Sequence, residues 1–118
     1  MDENTKNELE SLGVNVEAAV SRFAGKSERY IKYLKMHVMT GYFSKLGDAL
    51  KEGNVSDAQL FSHTLKGDFK NFEFGSLTDT MVSLNEQLKE GSMDGAMDKY
   101  ESMTNVYDNI TEIIVRLS

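Results

Sequence analysis

Apolar residues recur along this chain at intervals of three and four, the spacing that places side chains on one buried helical face. Val16, Val20 and Phe23 open the pattern, with Asn15 as a natural N-cap and Gly25 to close a short helix from about Asn15 to Ala24. Ile31, Leu34, Val38, Tyr42, Leu46 and Ala49 continue it, predicting a single long helix from about Ser27 to Glu52. Gly41 and Gly47 weaken that helix, by about 1 kcal/mol each relative to alanine. A third helix starts near Asn54, where Asp57 completes a box-like cap, and carries Ala58, Phe61, Leu65, Phe69 and Phe72 on one side. The fourth opens at Ser76 and presents Leu77, Met81, Leu84 and Leu88 before Gly91 ends it. The last runs from about Ser92 to Leu117, with Ala96, Tyr100, Met103, Tyr107, Ile110, Ile114 and Leu117 in register.

Proline is absent, so no residue type forbids long helices. Amphipathic helices joined by short glycine turns predict an all-α fold: an antiparallel up-and-down four-helix bundle with a short extra N-terminal helix. Residues 1–118 read as one domain, with residues 1–8 as a flexible N-terminus.

Charge narrows the partners. The net charge is -6, from 13 basic and 19 acidic residues, so the basic footprint of a nucleic-acid binder is missing and anionic membranes are disfavoured. The longest aliphatic run, Ile113-Ile114-Val115, is far too short to span a bilayer, and the first residues lack the features of a secretory signal. A cytoplasmic address is the expectation. With no cysteine, thiol nucleophiles and zinc-cysteine sites drop out, and histidine chemistry is confined to His37 and His63.

The two histidines read differently. At about 100° per residue, His63 falls about 150° from the centre of its helix's apolar stripe, facing water. Leu60, Lys66, Gly67 and Lys70 share or border that side. Gly67 sits mid-helix, where it costs about 1 kcal/mol against alanine, and close approach of another surface is a physical motive for it. His37 falls about 120° from the apolar centre of the Ser27 to Glu52 segment and reads as a surface residue.

The run His63-Thr64-Leu65-Lys66-Gly67 resembles the His-x-Leu-Lys-Gly core of the histidine-containing phosphotransfer (HPt) family. Asn71-Phe72 and Leu77 stand where that family tends to have a polar-apolar pair and a leucine opening the next helix. Leu12-Gly13-Val14-Asn15-Val16-Glu17, Arg22-Phe23 and Leu50-Lys51-Glu52-Gly53 extend the likeness over roughly residues 9 to 117. The chain departs from the family at Phe69 and Lys70, where small residues are usual, and at Glu73, where glycine is usual.

The resemblance implies a phosphorelay intermediate. His63 would accept a phosphoryl group from a receiver domain's aspartyl phosphate and pass it to another receiver. Lys66 would stabilise phosphoryl charge and Gly67 would admit the partner. Lys70, Asn85 and Lys89 are further candidates near the phosphoryl group, and Leu60 and Phe74 for partner docking. The partners implied are response-regulator receiver domains, with a hybrid histidine kinase as a further one. The domain itself would need no cofactor, use no ATP and act as a monomer, the receiver supplying magnesium. A degenerate adaptor that binds a receiver without transfer is the alternative, motivated by Lys70 and Glu73. A di-metal bundle would need Glu-x-x-His pairs, but Leu60 and Leu34 occupy those places.

Overall fold

The computed structural model describes residues 1–117 and is all-α. Seven helices follow one another among the described residues: α1 Glu3–Ser11, α2 Val16–Arg22, α3 Ser27–Thr40, α4 Tyr42–Lys51, α5 Val55–Asn71, α6 Gly75–Lys89 and α7 Ala96–Arg116. None is long and apolar enough to cross a membrane.

Two expectations are corrected at once. Residues 1–8, expected to be flexible, contribute most of α1. The Asp2 carboxylate caps this helix by accepting from the Thr5 amide at 2.8 Å, and Leu9 is fully buried. Glu8 pairs with Arg116 at 2.9 Å, fastening α1 to the end of α7. The second correction concerns the segment from Ser27 to Glu52, which is two helices rather than one. Gly41 adopts φ 64°, the left-handed conformation that closes α3, and α4 starts again at the next residue.

Gly47 has a different reason. It is buried in α4, and a Cβ placed there would lie 2.6 Å from the Tyr100 hydroxyl of α7. Tyr100 crosses this gap to donate to the Phe43 carbonyl at 2.9 Å. Gly47→Ala is therefore expected to destabilise the fold by about 1–3 kcal/mol through overpacking, despite alanine's better helix propensity. Chemical denaturation of the variant checks the sign.

α5 begins where the sequence pattern puts it. The Asn54 side chain accepts from the Asp57 amide at 3.0 Å and donates to the Asp57 carboxylate at 2.9 Å. The helix packs chiefly between α4 and α6, burying Ala58, Ser62, Leu65 and Phe69. Its C-terminal turn doubles back through Glu73, whose φ of 59° is a conformation that glycine takes without strain. The Glu73 carbonyl accepts from the Asn15 amide at 3.0 Å, joining this turn to the start of α2. α7 starts later than the spacing suggests, at Ala96, because Ser92 to Asp94 form a turn whose carbonyls Gln87 binds.

His37, expected at the surface, is buried. The stripe used to place it ran across the Gly41 break. Taken alone, α3 buries Tyr30, Leu34 and His37, a clean four-then-three spacing. The imidazole joins three helices: Nδ1 lies 2.8 Å from the Asp68 carboxylate on α5, and Nε2 lies 2.8 Å from the Tyr107 hydroxyl on α7. A single proton on Nδ1 satisfies both contacts, with Tyr107 donating to Nε2. Burial pushes the Tyr107 phenol up to about 12, so it keeps the proton it donates.

Candidate functional site

α5 turns opposite faces to the core and to water. Leu65 and Phe69 are fully buried, while His63, Gly67 and Lys70 are exposed. One turn before the histidine, Leu60 is 61% exposed, an apolar residue where helical patterning calls for a polar one. A shallow cleft beside them is lined by Ser56, Asp57, Gln59, Leu60, His63 and Lys89. α6 therefore supplies a cation to the rim of the His63 surface.

The lysines on this face act on one another. Lys66 is half-buried, and its ammonium is held below its ordinary pKa by partial loss of water, then by Lys89 and Lys70, with Glu86 opposing. Two helices thus bring three like charges close together around the imidazole's side of α5. Such a cluster favours an anion at this surface, and Glu86 offsets it only in part.

Gly67 leaves open space. A Cβ built there would meet nothing within 4 Å, so no packing within the chain requires glycine at this position. A second shallow cleft next to it is lined by Arg22, Gly67, Lys70, Asn71, Glu73, Gly75, Thr78 and Asp79.

Two of the expected site residues are buried rather than at the surface. Asn85 is fully buried on the stripe it shares with Met81 and Leu88, beneath the surface that carries His63 rather than on it. Its amide nitrogen donates to the Ser62 hydroxyl at 2.8 Å and the Gln59 carbonyl at 3.3 Å, while its Oδ1 has no partner. Phe74 is also fully buried and offers nothing to a docking partner. Its ring packs against Phe69 and Phe72 at 5.4 and 5.6 Å, and its backbone bridges to Val14.

The Ser62–Asn85 pair was missed by the pattern of the sequence. Ser62 lies on the buried side of α5 immediately before His63, and its bond to Asn85 ties α5 to α6 at that level. The available signal was the stripe itself: Ala58, Ser62, Leu65 and Phe69 have the spacing of one face, and a serine there needs a polar partner. Compared with family models, curated proteins and solved structures, the chain finds no match.

Proposed function

We propose that this chain is a phosphoryl carrier of the HPt type, with His63 as the residue that is phosphorylated. The observation carrying this reading is the exposed imidazole on α5 with Lys66, Lys70 and Lys89 gathered around its face and an unobstructed Gly67 one turn on. A lone pair on an imidazole nitrogen attacks the phosphorus of an aspartyl phosphate on a receiver. The P–O bond to the aspartate breaks as the N–P bond forms, the carboxylate leaves, and the other ring nitrogen releases its proton to water. Lys66 and Lys89 supply positive charge to the phosphoryl oxygens during transfer. Magnesium arrives with the receiver.

Further support comes from the backbone. Glu73 stands where the family usually has glycine, and its backbone is in the left-handed conformation that glycine favours. The neighbour relations also suit an antiparallel four-helix bundle: short turns join α4 to α5 and α5 to α6, α6 lies on α7, and α7 closes back on α3 and α4. Leu60 supplies an apolar docking residue next to the histidine. A cytoplasmic location fits a chain whose partners are receivers.

The test is incubation of the full chain with phosphorylated receiver domains. Acid-labile, base-stable phosphate on the chain is the expected result. A receiver that binds without labelling the chain would favour the adaptor reading instead.

Gly67 gives a second check with opposite signs for stability and transfer. Gly67→Ala is expected to stabilise the fold by about 1 kcal/mol, because the methyl meets no neighbour and alanine is the better helix former. On this reading the same methyl intrudes on the docked receiver and slows phosphotransfer by about tenfold or more. Thermal melting and a labelling time course measure the two effects on one variant.

A further inference from the structure

Outside the clefts around His63 and Gly67, α3 carries a second surface of unusual composition. Of the five large hydrophobic residues that stand exposed among the described residues, three lie on this helix: Tyr33 at 42%, Met36 at 50% and Met39 at 85%. Tyr30, Leu34 and His37 turn the opposite side of α3 into the core, so Met36 and Met39 face away from it, and Tyr33 borders them with its ring 5.4 Å from that of Phe23.

The same side is basic in an otherwise acidic protein. Lys26, Arg29 and Lys32 are exposed, and with Tyr33 and Glu28 they line a shallow cleft. None of these three cations is in an ion pair among the described residues. The net charge of the whole chain is -6, so three cations against the single carboxylate of Glu28 are a local reversal of the general field. Methionine, tyrosine and arginine are residues that interface cores favour, and methionine's flexible thioether adapts to a partner's shape.

We infer that the outer face of α3 is a docking strip for an acidic amphipathic helix of a partner protein. Glutamates or aspartates on that helix meet Arg29 and Lys32, and its apolar anchors cover Met36 and Met39. The strip runs about 20 Å along one helix, the length of a partner helix of roughly four turns. Its narrowness decides against an anionic bilayer. α7, which packs beside α3, exposes Glu101, Asp108 and Glu112, and α1 exposes Glu8 and Glu10. A broad anionic plane is opposed by the chain's net charge of -6 over its whole extent, whereas a helix about 10 Å wide meets mainly the basic strip. A second copy of the chain fits poorly as well. A two-fold contact through α3 would bring two basic strips together, and a head-to-tail contact with the acidic residues of α7 stays open-ended unless its rotation closes a ring.

The test titrates the isotope-labelled full chain with a synthetic helical peptide of about 18 residues, carrying glutamates and two leucines on one face. Amide shifts are expected along the exposed positions of α3. Affinity should fall at least about tenfold in the Arg29→Glu, Lys32→Glu double variant, and a peptide with lysine in place of glutamate should regain binding to that variant. Both substitutions are at exposed positions, so the fold survives them. Absence of binding by the acidic peptide at low salt, or binding indifferent to the charge reversal, would overturn the inference. So would co-sedimentation of the chain with phosphatidylserine vesicles that the double variant abolishes, or wild-type self-association that Met36→Ser, Met39→Ser removes.

Discussion

Replacing His63 with glutamine is expected to abolish labelling by phosphorylated receivers, a loss of at least about a thousandfold, while leaving the fold unchanged. The amide has similar size and polarity but no basic ring nitrogen, so it cannot form the N–P bond. The imidazole is exposed and makes no hydrogen bond among the described residues, so its removal leaves no buried group unpaired. Stability should therefore stay within about 0.5 kcal/mol of the parent chain. Receiver binding should also persist, because Leu60, Gly67 and the three lysines remain. That separation of transfer from binding distinguishes a phosphorylated residue from a docking residue. Labelling that survives in the variant would move the chemistry elsewhere, and His37 is a poor second candidate because its ring is enclosed.

What the chain's pattern made legible was local. The cap at Asn54 and the stripe from Ala58 to Phe69 are written in consecutive turns, so the start of α5 and the outward direction of His63 follow from residues within one helix. The errors arose where the outcome depended on distant residues. Leu9 stands in a polar run, and α1 acquires a buried face because α7 and α2 lie against it. Phe74 follows a helix end and is exposed in any local reading, yet its turn folds back onto Val14. Asn85 is a candidate for the phosphoryl surface in a local reading, because a polar residue on a buried stripe makes sense only with a partner, here Ser62 from another helix. A glycine inside a long helical pattern can be a weak point, a break or a contact. Gly41 is a break and Gly47 is a contact, and only the packing of α4 against α7 distinguishes them.

His37→Ala is expected to be among the most destabilising single substitutions in the chain, at about 3 kcal/mol or more, or a fall in Tm of about 10 °C. Two separate losses add. The ring sits among Phe69, Phe72, Phe74 and Tyr107, with centroid separations from 5.5 to 6.4 Å, and its removal leaves a cavity between α3, α5 and α7. The Tyr107 hydroxyl then loses its acceptor inside the core, which costs about 1–3 kcal/mol unless water enters. Asp68 suffers less, since its side chain is 31% exposed and can be hydrated. Asp68→Asn should accordingly cost much less than His37→Ala, because the amide oxygen still accepts from Nδ1. A loss below about 1 kcal/mol for His37→Ala would mean that the three-helix contact contributes little. The fraction of His37→Ala that remains folded should still be labelled on His63. The two histidines would then divide cleanly, with the buried one holding α3, α5 and α7 together and the exposed one receiving the phosphoryl group.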